Sequence, residues 1–223
     1  MKYCLYKKEK KDIVPVTDSD QIELAKARLK EIFENRIELR IPSRFIESWD
    51  KVALFQTNGD VTKANGILFP EEKSAFALNN SLNDLTAKEW LPETVTVFSQ
   101  KGLGAGNKDA QIEKQHPAPY SFQDVLRLIQ FYSKENDKVL DPFSGVASTV
   151  KACAFSNRIG YGIELNQKYH ELGLLRIEKE VPNDVKGKLT QTLINENSVL
   201  EINKFDDNFF DFIVTSPPYW NIL

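Results

Sequence analysis

The second half of the chain alternates short apolar runs with amphipathic segments, and this alternation restricts the possible folds more than any other feature. Strands are predicted at DKVLD (137–141), RIGYGIEL (158–165), KLTQTLINENS (188–198) and NFFDFIVTSPPY (208–219). Apolar residues recur at helical spacing in SFQDVLRLIQFYS (121–133) and over 166–180, with Tyr169, Leu172 and Leu175 on the expected inner face. Strands that alternate with helices form a parallel sheet with crossover helices. We therefore predict a doubly wound, mostly parallel α/β domain over residues 116–223.

Residues 1–115 show weaker patterns, and we predict a mixed α+β extension there. A helix is expected from Gln21 to Asn35 with Asp20 as its N-cap, because apolar residues recur at helical spacing. The runs 51–57 and 94–100 indicate strands, and a short helical pattern begins at Leu85. The glycine-rich run KGLGAGNKD (101–109) lacks the strand-then-helix context of a phosphate-binding loop and is typical of a connector.

Composition limits the classes of function that remain. Hydrophobic residues make up 41% and charged residues 27%, as in ordinary globular proteins. No run approaches the roughly 20 apolar residues of a membrane span, and the N-terminus lacks an apolar signal core, so we expect a cytoplasmic protein without a membrane partner. Cys4 and Cys153 lie far apart and form no CxxC pattern, so we expect reduced thiols and no metal. The net charge of −3 offers no overall basic field for a polyanion, and any basic surface must be local or lie on a second polypeptide.

Polar residues end each predicted strand of the second half. In doubly wound sheets, ligands bind at this carboxyl edge. The turn after the first strand opens a helix, whose free N–H groups favour an anion, and the acid that ends the second strand suits ribose hydroxyls. These features predict a pocket for an adenosine-containing cofactor. The alternative is that Asp141 only caps its turn and that Glu164 is only solvated. The occurrence of both acids at successive strand ends makes this alternative less attractive.

Four motifs in one consistent order resemble those of the amino-group DNA methyltransferases, which use S-adenosylmethionine to methylate N4 of cytosine or N6 of adenine. DPFSGVAST (141–149) is similar to the cofactor loop of that family, and GIEL (162–165) to its ribose site. HPAPYSFQDVLRLI (116–129) resembles the segment that encloses the methionine end, and TSPPY (215–219) resembles the catalytic motif. The resemblance covers roughly residues 83–223 and implies a Rossmann-like methyltransferase fold.

The resemblance also implies the residues of the site. The expected S-adenosylmethionine-binding residues are His116, Pro117, Ala118, Pro119, Tyr120, Asp141, Pro142, Phe143, Ser144, Gly145, Ser148, Thr149, Glu164, Leu165, Asn197 and Ser198. The expected catalytic residues are Ser216, Pro217, Pro218 and Tyr219.

The chemistry of amine methylation explains the catalytic motif. The lone pair of an exocyclic amine is delocalised into the base, so hydrogen-bond acceptors must pyramidalise the nitrogen and hold it in line with the methyl group. The Ser216 hydroxyl and the Pro217 carbonyl are suitable acceptors, and Tyr219 offers a face on which a flipped base can stack. The family uses Ser-Pro-Pro more often with cytosine, so we expect N4-cytosine over N6-adenine.

Two residues depart from the family pattern. Ala147 stands where the family usually has glycine, which adds a Cβ close to the cofactor. Asn197 stands where the family commonly has aspartate, which leaves one contact to the adenine amino group uncertain.

By family analogy, further strands and the target-recognition region should follow Leu223. We considered an interrupted gene, a second polypeptide that supplies the remainder, and an unusual recognition domain in residues 1–115. The implied partners are double-stranded DNA, this second polypeptide and a cognate restriction endonuclease in a restriction-modification system. Two other functions remain open. One is methylation of RNA or protein, and the other is an inactive cofactor-binding remnant or a subunit of a split enzyme.

Overall fold

The chain folds as two compact units, Met1–Thr96 and Val97–Leu223. The structure is a computed structural model, and it describes residues 6–9, 12–35, 40–47, 53–56, 66–69, 74–95 and 110–217. The boundary between the units lies earlier than the one predicted at residue 115. The segment around Glu113, which precedes the predicted boundary, belongs to the second unit, because Glu113 forms an ion pair with Arg176 of that unit.

The first unit contains a five-stranded sheet. Its strands are β1 (Tyr6–Glu9), β2 (Asp12–Pro15), β3 (Ala53–Gln56), β4 (Gly66–Phe69) and β5 (Ser74–Ala77), in the order β2-β1-β3-β4-β5. Neighbouring strands are antiparallel except β1 and β3, which are parallel. The helices are α1 (Ser19–Glu34), α2 (Ser43–Glu47) and α3 (Ala87–Trp90), and a 3₁₀ helix follows at Leu91–Thr94. The prediction of a mixed α+β extension is confirmed for these residues.

Helix α1 covers the core of the first unit. Its residues Ala25, Leu29 and Ile32 are buried together with Phe45 and Leu54. The predicted helix is confirmed, but the predicted cap is wrong. Asp18 caps the helix, because its side chain accepts hydrogen bonds from the backbone amides of Asp20 and Gln21, which places the predicted cap, Asp20, in the first turn.

The prediction of a strand over residues 94–100 is wrong for its first two residues. Thr94 ends the 3₁₀ helix, and Val95 lies in the bend that follows it. The remainder of this strand and the glycine-rich run 101–109 lie outside the described residues.

The second unit is the predicted doubly wound α/β domain. Its helices are α4 (Ala110–Glu113), α5 (Phe122–Tyr132), α6 (Ser148–Phe155), α7 (Gln167–Glu180), α8 (Asn183–Lys186) and α9 (Ser198–Ile202). Its strands are β6 (Lys138–Asp141), β7 (Ile159–Glu164), β8 (Thr192–Asn195) and β9 (Phe212–Ile213). The order is β8-β7-β6-β9, and all three pairings are parallel. This arrangement confirms a Rossmann-like fold.

The strand order determines where a ligand can bind. The chain proceeds from β6 outward to β8 and then returns to place β9 on the other side of β6. The order therefore reverses between β6 and β9, and in such sheets the crevice beyond the carboxyl ends at the reversal is the usual ligand site. Asp141 ends β6 at this point, and the TSPPY segment follows β9.

Local predictions in the second unit are partly corrected. Helix α7 lies within the predicted range 166–180 and begins after its N-cap, Asn166, whose side chain accepts hydrogen bonds from two backbone amides. Its buried positions are Gly173 and Arg176, whereas Leu175, predicted to face inward, is 39% exposed. Helix α6 begins at Ser148 because Ala147, in a left-handed conformation, acts as its N-cap.

None of the helices in the described ranges is long and apolar enough to cross a membrane. The same ranges contain no group of three or more His, Cys, Asp or Glu side chains placed to hold a metal ion. Cys153 is a buried free thiol, and Cys4 lies outside the described residues.

Candidate functional site

A cavity of about 550 Å³ lies at the carboxyl edge of the parallel sheet. Its volume falls within the range of about 300–1,000 Å³ that small-molecule sites occupy. The residues that line it are His116, Ala118, Pro142, Phe143, Glu164, Leu165, Asn166, Tyr169, Asn197, Ser198, Val199, Ser216 and Pro217. The cavity therefore receives side chains from the segment before α5 and from the ends of all four strands.

Gly145 forms the turn between β6 and α6 in a backbone conformation that glycine favours. Its φ is +52°, and a Cβ added there would lie 3.3 Å from the Nε2 atom of His116. The Gly145 amide also donates a hydrogen bond of 2.8 Å to the Oε2 atom of Glu164. The absence of a side chain at this position thus lets the loop approach both the histidine ring and the end of β7.

Glu164 ends β7 with its carboxylate at the cavity. Its Oε2 atom accepts from Gly145, and its Oε1 atom accepts from the Asn166 amide at 2.8 Å. Each carboxylate oxygen has two lone-pair directions, so both retain capacity to accept a hydrogen bond from a ligand. Two oxygens held in place by backbone amides suit a pair of vicinal hydroxyl groups.

His116 packs over the turn as a neutral ring. Burial lowers the pKa of its imidazole, which disfavours the charged form near neutral pH. Its Nδ1 atom accepts a hydrogen bond from the Ala118 amide at 3.3 Å, which leaves the ring proton on Nε2. The Tyr169 ring meets the imidazole edge to face, with centroids 4.6 Å apart. These contacts form one wall of the cavity.

Asn197 reaches the cavity as the N-cap of α9. Its side-chain oxygen accepts a hydrogen bond of 2.9 Å from the Val199 backbone amide, and its backbone amide donates one of 2.7 Å to the Glu196 carboxylate. The oxygen expected to meet an adenine amino group therefore already accepts one hydrogen bond within the protein.

Asp141 lies beneath the cavity and is fully buried. Its Oδ2 atom accepts hydrogen bonds from the Tyr120 hydroxyl at 2.6 Å and the Thr149 hydroxyl at 2.5 Å. Its Oδ1 atom accepts from the Thr215 hydroxyl at 2.6 Å and the Phe143 amide at 3.1 Å. Burial raises the pKa of this carboxyl, and the four donors oppose the rise because they favour the ionised form.

Alanine at position 147, one of the two departures from the family pattern, has a backbone conformation that is unfavourable for this residue. Its φ is 64° and its ψ is 36°, which is the left-handed region that disfavours residues with a Cβ. The residue is fully buried, and a Cβ placed on Gly173 of α7 would lie only 3.2 Å from the Ala147 Cβ. The methyl group of Ala147 is therefore accommodated because residue 173 has none.

The structure brings together half of the predicted cofactor-binding residues. Those that line the cavity are His116, Ala118, Pro142, Phe143, Glu164, Leu165, Asn197 and Ser198. Others are buried beside it, namely Asp141, Ser144, Gly145, Ser148 and Thr149. Ser148, for example, donates a hydrogen bond of 2.8 Å to the Tyr120 carbonyl and accepts one from Arg176. Pro117 and Pro119 are exposed outside the lining, and Tyr120 points to Asp141. Direct contact of these residues with a cofactor stays a prediction.

Two of the four predicted catalytic residues can be located. Ser216 and Pro217 line the cavity on the side of β9. Pro218 and Tyr219 lie outside the described residues.

Sequence patterns did not predict three lining residues or one buried cation. Asn166, Tyr169 and Val199 line the cavity, because the first turns of α7 and α9 face it. Arg176 is fully buried and pairs with Glu113 at 2.5 Å and Glu180 at 3.0 Å. Helical spacing from Tyr169 through residue 173 to Arg176 was the available signal, but a cation was not expected on an inner face.

A family model for N6/N4 methyltransferases, described as DNA methylase, matches residues 3–175. The chain belongs to this DNA methylase family. The match extends through both compact units and includes the cofactor loop and the end of β7.

Individual relatives align with short segments of the chain. One is the type II beta methyltransferase M.BslI of Bacillus sp., 46% identical over 59 residues, which is 26% of the chain and 6% of the relative. Another is the type II methyltransferase M.HpaI of Haemophilus parainfluenzae, 37% identical over 67 residues, which is 30% of the chain and 21% of the relative. Each alignment therefore spans less than a quarter of the relative.

Solved structures show a weaker likeness. TrmN from Thermus thermophilus matches with 20% identity and a TM-score of 0.35, over 44% of the chain and 28% of that protein.

Proposed function

We propose that the chain is the cofactor-binding and catalytic part of an S-adenosylmethionine-dependent DNA methyltransferase. The observation that carries the proposal is the cavity at the reversal of the strand order. There the carboxylate of Glu164 shares one space with Phe143 of the loop after β6 and with Ser216 and Pro217. A methyl donor and an acceptor amine need such a shared space, because transfer requires both in one aligned complex.

The cavity fits the chemical groups of S-adenosylmethionine. Glu164 offers carboxylate oxygens to the ribose hydroxyls, and the Phe143 and Leu165 side chains offer apolar surface to the adenine ring. The glycine turn leaves room beside His116 where a side chain would intrude. When bound, S-adenosylmethionine supplies an electrophilic methyl group on a sulfonium. Neither a metal ion nor a covalent enzyme intermediate is part of the proposal.

The acceptor side of the proposal rests on the TSPPY segment. The Ser216 hydroxyl and the Pro217 carbonyl accept hydrogen bonds from an exocyclic amine, which draws the nitrogen lone pair out of conjugation. A base inside a duplex cannot reach this cavity, so the proposal includes flipping of the target base, with Tyr219 as its stacking partner. Serine at position 216 favours N4 of cytosine over N6 of adenine.

The proposed context is a cytoplasmic restriction-modification system. Double-stranded DNA is the proposed substrate, and a cognate restriction endonuclease recognises the same site. With a net charge of −3, the chain offers no overall attraction for DNA, which supports a second polypeptide that carries target recognition.

The first experiment is a calorimetric titration of S-adenosylmethionine into the 223-residue chain. Glu164→Gln keeps the size and one acceptor oxygen but removes the charge, so we expect affinity to fall about tenfold with the loss of charge-assisted hydrogen bonds. Glu171→Gln is the matched control, because Glu171 is exposed on α7 outside the cavity lining. Equal affinity of both variants and the unmodified chain would refute the assignment of Glu164. No binding by a folded chain would refute cofactor use.

The second experiment measures transfer of labelled methyl groups into duplex DNA, RNA and protein, with chromatographic identification of the methylated nucleoside. We expect N4-methylcytosine in DNA, and we expect its loss in Ser216→Ala with cofactor affinity within twofold. Transfer only into RNA or protein would replace DNA as the substrate. Cofactor binding without any transfer would indicate a cofactor-binding subunit or remnant.

A further inference from the structure

The buried carboxylate of Asp141 joins four separate segments of the second unit. Its donors are the Tyr120 hydroxyl from the segment before α5, the Phe143 amide in the loop after β6, the Thr149 hydroxyl in the first turn of α6, and the Thr215 hydroxyl after β9. The side chain has no exposed surface, and each oxygen already accepts two hydrogen bonds. A carboxylate saturated in this way organises the protein around it and has little capacity left for a ligand.

The four segments include the two sides of the candidate site. Tyr120 ends the segment that contributes His116 and Ala118 to the cavity, whereas Thr215 immediately precedes Ser216 and Pro217. Oδ2 of Asp141 accepts from the first side and Oδ1 from the second. One rigid carboxylate group therefore sets the distance between these two walls.

The segment after β9 depends on the hydrogen bond from Thr215 to Asp141, because β9 itself is short. β9 pairs with β6 through Phe212 and Ile213 only, and the backbone ladder ends with the Val214 amide donating to the Leu140 carbonyl at 3.1 Å. Thr215 is the next residue, and its hydroxyl bond to Asp141 is 2.6 Å long. Beyond the ladder, this side-chain bond replaces a backbone bond in holding the chain against β6.

We propose that Thr215 is a positioning residue for methyl transfer, whose bond to Asp141 aligns the Ser216 and Pro217 acceptors with the cofactor side of the cavity. This role rests on the proposed function. It also assigns Asp141 to alignment of the two walls, in place of the direct cofactor contact expected from the sequence. Alignment matters because displacement of a reacting group by about 1 Å can lower the rate about a hundredfold.

Two substitutions separate the hydroxyl from the rest of the side chain. Thr215→Val keeps the branched shape and removes the donor, whereas Thr215→Ser keeps the donor and removes a methyl group. Backbone ¹⁵N order parameters of the full chain report the mobility of Ser216 directly. We expect a value of about 0.85 in the unmodified chain and in Thr215→Ser, and a value below about 0.6 in Thr215→Val. The melting temperature of Thr215→Val should change little.

The outcomes distinguish this role from a general structural one. An unchanged order parameter in Thr215→Val would overturn the proposal, and so would an equal loss of order throughout β6 and β7. Where the unmodified chain transfers methyl groups, we expect Thr215→Val to lower the turnover rate at least tenfold while S-adenosylmethionine affinity stays within twofold. Equal turnover in Thr215→Val would also overturn it. If the unmodified chain neither binds cofactor nor transfers methyl groups, the proposed function fails, and the order parameters still decide whether Thr215 holds Ser216.

Discussion

Exchanging the residues at positions 147 and 173 should stabilise the second unit. Ala147 has a φ of 64° and is fully buried, and Gly173 faces it from the interior of α7. The double variant Ala147→Gly/Gly173→Ala gives each backbone the residue type that it favours. Glycine occupies the left-handed turn, and alanine occupies the helix interior.

The magnitude follows from the geometry of this contact. Removing the Cβ at position 147 relieves left-handed strain of about 1–2 kcal/mol. The methyl group is not lost, because a Cβ at position 173 occupies the same gap, 3.2 Å from the former one. The exchange keeps one glycine and one alanine, so the changes in unfolded-chain entropy cancel. We therefore expect a net gain of about 1–2 kcal/mol.

The single variants should behave differently from their combination. Gly173→Ala alone crowds the Ala147 methyl group and should cost about 1 kcal/mol. Ala147→Gly alone should be almost neutral, because the relief of strain is offset by a lost buried methyl of about 0.8 kcal/mol and by a more flexible unfolded chain. The two changes should therefore couple by about 2–3 kcal/mol.

Scanning calorimetry of the four proteins measures these values, and hydrogen exchange of β6 and β7 assigns the transition to the second unit. A gain of 1 kcal/mol corresponds to about 4 °C for a unit of this size. The reasoning fails if Gly173→Ala alone stabilises the unit, or if the double variant equals the sum of the single ones. Either result would mean that the two positions do not compete for one methyl group.

Two further predictions concern charged side chains, one in each unit. Arg176→Met should destabilise the second unit by about 3–5 kcal/mol, because Glu113 stays buried without its guanidinium partner, whereas Glu180 keeps its ion pair with Lys151. The urea midpoint measures this loss, which should be clearly smaller in Arg176→Lys if charge is the cause. In the first unit, burial raises the pKa of Glu89, but hydrogen bonds from Arg44 and Thr86 outweigh it and hold the pKa at about 2. A lowered folded-state pKa stabilises the unit above pH 4.5, and this contribution disappears as the pH falls through about 2. Glu89→Gln should therefore be less stable than the unmodified chain at pH 7 by about 1 kcal/mol after solvent screening, and the difference in urea midpoints should vanish near pH 2. A difference that persists at pH 2 would point to the shape of the side chain and not to its charge.

Much of the second unit followed from periodicity and motif order. The strands β6, β7 and β8 and the helices α5 and α7 lie within the predicted ranges, because apolar spacing depends on which face each element buries. The cavity at the strand ends also followed, since a doubly wound order places those ends together. The predictions were weaker in the first unit, where the elements are short and their packing depends on pairings between distant strands, such as β1 with β3.

The sequence by itself determined the DNA methylase family, the alternation of strands and helices, and the candidate groups of the site. These properties depend on residue types at short spacings, which a linear pattern records. Only the tertiary structure decided which candidates reach the cavity and which are buried beside it. Asp141 and Glu164 both end strands, yet Asp141 is enclosed by four donors from four segments, whereas Glu164 faces the cavity. The difference arises because burial and hydrogen bonding are set by contacts between residues far apart in the chain, and no local pattern encodes those distances.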